Sequence, residues 1–190
     1  QTLYIHANNA KEIIESVNFA KNNGITNVCI VGGKDSWMVT DLLKANNVSV
    51  MVARVHDLPD RPEDDIDLPY KLPYLLEKAG ILYCLNNEGD MEAMNTRNLP
   101  FLAGTAAAYG LTKEQALKAV TLNAAKILGI DKTTGSLEKG KDANLFISTG
   151  DALDMRGNNV EAAFVKGKTI DLNNDQKALY EKYKTKYGIK

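Results

Sequence analysis

Apolar positions along this chain switch between two periods, and the switch repeats. Residues 2–5 read as a short strand that ends at His6. Behind it, Ala10, Ile13, Ile14, Val17 and Ala20 recur at helical spacing, which predicts a helix with one buried face. Asn8 or Asn9 is placed to cap its start, and Asn23-Gly24 to end it. Residues 27–31 form an uninterrupted apolar run stopped by Gly32-Gly33, as expected of a strand covered on both faces. Asp35 is positioned to cap a helix carrying Trp37, Met38, Val39, Leu42 and Leu43. A third strand is predicted over 48–55 and a short helix over 72–79, begun near Pro69 and closed by Gly80. A fourth strand follows at 81–85.

Strand and helix alternating with short connections is the pattern of right-handed βα units around a parallel sheet. Four such units precede residue 111. A complete (β/α)8 barrel has eight, so four make half a barrel, or else a small doubly wound sheet. Residues 91–110 read as partly helical, interrupted by Asn98-Leu99-Pro100. Thr112 and Gln115 have capping-box spacing, and the helix behind them presents Ala116, Leu117, Val120, Ala124 and Leu128 before Gly129. After residue 133 short β-like runs at 145–147 and 162–165 are punctuated by glycines, with a turn at 166–168 and a return strand at 169–170. Residues 175–187, carrying Tyr180, Tyr183 and Tyr187, read as a partly exposed terminal helix.

Composition narrows the partners. Of 190 residues 44% are apolar and 25% charged, with a net charge of −1 and both signs interspersed. Nucleic acid is disfavoured, because phosphate binding needs clustered cations. No apolar run reaches the length of a membrane span, so a membrane is disfavoured as well. Cys29 and Cys84 each sit in an apolar run and read as buried thiols. The chain opens on Gln1 with no starting Met, which reads as a cut or processed end. The compartment stays open between cytoplasm and periplasm.

Two segments carry a resemblance. Residues 108–130 run Ala-Tyr-Gly-Leu-Thr-Lys-Glu-Gln-Ala-Leu to Thr121-Leu122-Asn123-Ala124-Ala125-Lys126-Ile127-Leu128-Gly129, and residues 135–144 read Gly-Ser-Leu-Glu-Lys-Gly-Lys-Asp-Ala-Asn. Together they resemble the C-terminal portion of a metal-dependent amidohydrolase, nearest the imidazolonepropionase-related branch. The resemblance implies the second half of a TIM-type barrel over 1–130. It also implies part of a small β-sandwich with a C-terminal helix over 131–190, the sandwich being completed in the family by N-terminal strands.

It implies chemistry too. Such enzymes hydrolyse cyclic or linear amide-type C–N bonds with water activated by a divalent metal, zinc or iron. His6 matches the family's ligand at the end of the fifth barrel strand, and Glu88, in Leu85-Asn86-Asn87-Glu88-Gly89, falls nearest the eighth-strand Asp. The sixth strand ends in Val31-Gly32-Gly33 with no imidazole, and no His-x-His pair occurs. A catalytic zinc needs three protein ligands, so this chain by itself is expected to hold no metal and to be inactive.

Arg54 and His56 follow the third strand and are candidates for binding a small amide-like substrate, Arg54 through a bidentate carboxylate contact. A salt bridge and a loop histidine with a capping Asp57 are the competing structural readings. The acidic loop Glu63-Asp64-Asp65 with Asp67 lacks calcium-loop spacing and reads as solvated, and Gly32-Gly33-Lys34-Asp35 is not a phosphate loop.

Two other readings compete. The first is a non-catalytic, amidohydrolase-shaped binding or scaffold protein, motivated by the missing sixth-strand histidine. The second is a flavodoxin-like domain, which leaves the tail after residue 98 unexplained. A half-barrel has two unpaired strand edges, and such edges recruit another chain or become covered. The chain is therefore expected to self-associate, to pair with a missing N-terminal half, or to cover its first and fourth strands. Light scattering above the 20.8 kDa monomer mass is the expected result for the isolated chain.

Overall fold

The computed structural model describes residues 1–88 and 92–189. Its first sheet contains β1 (Leu3–Ala7), β2 (Val28–Gly32), β3 (Ser49–Val52) and β4 (Tyr83–Leu85), in that spatial order and all parallel. Between them run α1 (Ala10–Asn22), a 3-10 turn (Ser36–Val39) leading into α2 (Thr40–Ala45), and α3 (Leu68–Ala79). This is the α/β alternation read from the periodicity. β1 runs two residues further than expected, through His6 to Ala7, while β3 and β4 are shorter than their apolar runs.

Local chemistry sets the helix ends. Asn9 caps α1 in a reciprocal box with Glu12. Pro69 lies in the first turn of α3, where its missing N–H costs nothing, so the helix starts at Leu68 and not at 72. Asp35 does not cap the turn that follows it, contrary to expectation. Its carboxylate is taken by Arg61, through two bonds of 2.9 and 2.8 Å, and by the Ala10 amide at 3.1 Å.

β4 is followed by α4 (Glu92–Asn95), a 3-10 turn (Thr96–Asn98), α5 (Leu99–Ala108), α6 (Lys113–Val120) and α7 (Leu122–Leu128). Pro100 opens α5, which explains the interruption seen there. The single helix expected after Thr112 is two, because Thr121 (φ −129°, ψ −89°) leaves helical space and turns α7 away from α6.

That turn gives the sheet a cover on each face. Ile30, Val50, Val52, Tyr83 and Leu85 face one way, into a core with Ile13, Val17, Leu43, Leu72, Leu76, Leu102 and Ala106 from the helices. Residues of the other parity face the opposite way, where Cys29 and Cys84 pack on Ile127 of α7, with Met51 and Ala124 beside them. The Tyr4 hydroxyl donates to the Ile127 carbonyl at 3.1 Å. α7 therefore plugs the N-terminal half of the second face. Both cysteines are free and buried, as expected.

A second, antiparallel sheet comprises β5 (Leu145–Ser148), β6 (Val160–Val165) and β7 (Lys168–Thr169). Gly104 of α5 lets the 151–155 loop approach, since a Cβ there would lie 2.1 Å from the Leu153 carbonyl oxygen. α8 (Asp175–Tyr187), capped by Asn174, has no buried residue. No helix among the described residues is long and apolar enough to cross a membrane.

Leu76→Ala is expected to cost about 2–5 kcal/mol in urea unfolding, because the side chain is fully buried among α3, α2 and the sheet. Leu137→Ala, at an exposed position, is expected to change stability by no more than about 0.5 kcal/mol.

Candidate functional site

Parallel pairing sends every strand's C-terminal end to one edge of the first sheet. That edge gathers His6 in β1, the Gly32-Gly33 turn after β2, Ala53-Arg54 after β3 and Asn86-Asn87-Glu88 after β4. Gly32 (φ +100°) is required there, since a Cβ would fall 2.3 Å from the Asn8 side-chain oxygen.

His6 belongs to the face plugged by α7 at its other end. Its side chain is 78% exposed, and its Nδ1 lies 3.8 Å from Oε2 of Glu88, which is 26% exposed. β1 and β4 are the outer strands of four, roughly 14 Å apart if the sheet were flat. The two side chains nonetheless come within 3.8 Å of each other. The Asn86 amide donates to the same Glu88 oxygen at 3.4 Å. Gly89, which ends the motif containing Glu88, lies outside the described residues.

Two donors bound to one zinc at about 2.1 Å in a tetrahedron stand about 3.4 Å apart, so His6 and Glu88 are spaced to share a cation. No group of three or more His, Cys, Asp or Glu able to hold an ion is found among the described residues. Among the described residues the pair stands as a contact between one imidazole and one carboxylate.

Arg54 is 42% exposed and donates through one terminal nitrogen to Oε1 of Glu92 at 2.7 Å. Glu92 is 11% exposed, and its other oxygen is buried with no hydrogen-bond partner among the described residues. His56 does not lean on Asp57. Its Nε2 lies 2.6 Å from the Thr105 hydroxyl of α5, and its ring meets Tyr70 of α3 edge-on, centroids 6.3 Å apart. Asp57 instead caps the Leu58 amide and faces the Lys34 ammonium at 3.3 Å. Burial, and then the Arg54 charge, pull the His56 imidazole below its ordinary pKa. His6 and Glu88 are thus brought together, whereas Arg54 and His56 each take a partner of their own.

The acidic loop is less solvated than its composition suggests. Arg61 bonds Asp64 as well as Asp35, and Lys71 takes Asp65 and Asp67. Asp35 is held below the usual carboxylate range mainly by its bonds from Arg61. Lys34 is shared between Asp57 and Asp60, so the Gly-Gly-Lys turn has no free cation to offer an anion. Glu92 and Thr105 escaped sequence reasoning. Nothing local marks Glu92, but Thr105 is the lone hydroxyl in the apolar run of α5, and that signal was readable.

The family model described as "Amidohydrolase family" matches residues 3–170. An imidazolonepropionase of Flavobacterium psychrophilum is 31% identical over 112 residues, 55% of this chain and 27% of that protein. One from Acinetobacter baumannii is 40% identical over 72 residues, 36% of this chain and 18% of its own. The amidohydrolase structure from Thermotoga maritima MSB8 superposes with a TM-score of 0.77 at 29% identity, covering 90% of this chain and 43% of that one. A zinc-bound adenosine deaminase from Xanthomonas campestris shares the fold at 18% identity and a TM-score of 0.58, covering 97% of this chain and 50% of its own. The chain thus spans about a quarter of the Flavobacterium relative and less than half of the Thermotoga structure.

The lowered His56 pKa has a definite sign. The folded state favours neutral imidazole, so its contribution to stability is full above the ordinary imidazole pKa and is lost as pH falls through the lowered value. An NMR titration is expected to place His56 below the ordinary imidazole value, and Arg54→Gln to move it part of the way back up.

Proposed function

The chain belongs to the amidohydrolase family, and from that membership we propose that it is part of a hydrolase of amide-type C–N bonds, in cyclic or linear substrates. The observation that carries this reading is the meeting of His6 and Glu88 across the outer strands of the sheet. We propose that the four strands are half of a closed (β/α)8 barrel formed by 1–130, and that the second sheet and α8 belong to a sandwich unit over 131–190. Donors outside the described residues would complete the centre begun by His6 and Glu88. His6 and Glu88 would hold a divalent ion there, zinc or iron, whose Lewis acidity would activate water and polarise the scissile carbonyl.

The protein's own side chains then divide the remaining work. One nitrogen of Arg54 is committed to Glu92, and the exposed remainder of its fork is available to a substrate carboxylate. His56 stands on the loop after β3 as a neutral hydrogen-bonding group. α7 packs against the opposite end of the same face, through Ile127 on Cys29 and Cys84. The likeness to imidazolonepropionases favours a five-membered cyclic amide as substrate. The isolated chain, with two donors, is proposed to turn over no substrate, and its partner in activity is the missing barrel half or a second copy.

One observation favours the alternative, a non-catalytic binding protein of the same shape. β2 ends in Gly32 with no imidazole where the family often has one.

Metal binding discriminates between them. Zinc titrated into the chain by calorimetry is expected to bind weakly, with His6→Ala abolishing binding and Glu88→Gln weakening it at least tenfold. His6 is exposed, so its loss leaves folding intact. Unchanged zinc content in His6→Ala removes His6 from the centre, and hydrolysis of an imidazolone by the isolated chain overturns its assignment as inactive.

A further inference from the structure

α8 is a helix of 13 residues with no buried residue. A helix of that length is marginal in water without tertiary contacts, so this one calls for a surface to lie on. At about 100° per residue, Leu179, Tyr180, Tyr183 and Tyr187 fall within one stripe roughly 100° wide. All four are exposed, Tyr187 at 65%. Tyr183 and Tyr187 stack with centroids 6.2 Å apart. Lysines border the stripe on both sides: Lys184 lies over the Tyr180 ring at 5.8 Å and Lys186 over the Tyr187 ring at 5.3 Å. Aromatic anchors edged by cations suit a partner surface that is negative and partly apolar.

A surface of that kind lies elsewhere on the same chain. Residues 57–67 carry six carboxylates and one cation, Arg61. Lys34 and Lys71 reach in from outside the loop, and three negative charges are left over. Glu63 is exposed and has no ion pair among the described residues. Leu58 and Ile66, 66% and 62% exposed, give the loop apolar anchors. No ion pair among the described residues joins α8 to this loop within one chain.

We propose that α8 docks on the 57–67 loop of a second copy, its tyrosines against the apolar anchors and its lysines against the surplus carboxylates, in a two-fold dimer. The charges choose this partner surface. The apolar groove between α6, α7 and β5 is the other exposed acceptor, but Lys118 lines it and Lys139 and Lys141 adjoin it, so it offers a basic helix less. Two-fold symmetry makes the contact twice, helix on loop and loop on helix. That doubling brings the buried area toward the about 800 Å² per partner of a stable dimer, which one helix about 20 Å long does not reach alone. The assignment goes beyond the hydrolase reading and needs neither metal nor turnover.

The test is light scattering on the whole 190-residue chain at low salt. Wild type is expected at twice the 20.8 kDa monomer mass and to fall toward monomer as salt rises. Lys182→Glu with Lys186→Glu reverses the helix, and Asp60→Lys with Glu63→Lys reverses the loop. Each double variant is expected to be monomeric, because both of its contacts then set like charges together. Tyr183→Ser with Tyr187→Ser is expected to weaken the dimer at least tenfold. Circular dichroism and urea unfolding verify that each variant is folded.

Mixing the two charge-reversed variants is the decisive step. In the mixed pair a negative helix meets a positive loop, and a positive helix meets a negative loop, so a dimer is expected to return. A monomeric wild type overturns the proposal. So does a dimer indifferent to both reversals, which is the behaviour of pairing through the β1 and β4 edges. Two monomeric variants that stay monomeric when mixed overturn it as well.

Discussion

Four strands pointing the same way are the constraint from which the other features follow. Parallel neighbours cannot be joined by tight turns, so each connection must cross over the sheet, and α1, α2 and α3 are those crossovers. Because every strand ends on the same edge, residues far apart in sequence share one rim. His6 and Glu88 are separated by more than eighty residues and by two intervening strands, yet their side chains come within 3.8 Å. Had one strand been reversed, its chemistry would lie at the opposite edge, under α7.

A parallel sheet with both faces covered needs two sets of apolar side chains, and the strands supply them by parity. Ile30, Val50 and Tyr83 meet the crossover helices, while Cys29, Met51 and Cys84 meet Ile127 and Ala124. The second set is smaller and softer, and α7 packs on it at its N-terminal half. His6 stands at the other half, exposed beside the buried Val31. The same face therefore serves as a packed floor at one end and as an open rim at the other, which is how (β/α) folds commonly place chemistry on loops above a rigid base.

Charge pairing holds the rim loops in place. The stretch from 53 to 67 has no regular structure, yet Arg61 ties it to Asp35 and Lys34 ties it to Asp57 and Asp60. Asp35 also accepts the first amide of α1, so three segments converge on one carboxylate. Individually, exposed ion pairs contribute little. Here the bidentate geometry matters more as registration, since it orders the segment that carries Arg54 and His56.

Much of this was legible in the chain alone. The helical spacing from Ala10 to Ala20, the apolar run at 27–31 and the stops at Gly80 and Gly129 determined the element order, since period and punctuation are local properties. The family likeness in 108–130 and 135–144 was equally local. The tertiary structure decided what depends on distance in space. It split the helix at Thr121 so that α7 could reach the inner face. It drew Asp35 away from a cap toward Arg61, and it gave His56 a hydroxyl partner forty-nine residues away in place of the neighbouring Asp57. Side-chain partners across a fold are chosen by how elements pack, and a pattern along one chain carries periodicity but not that packing.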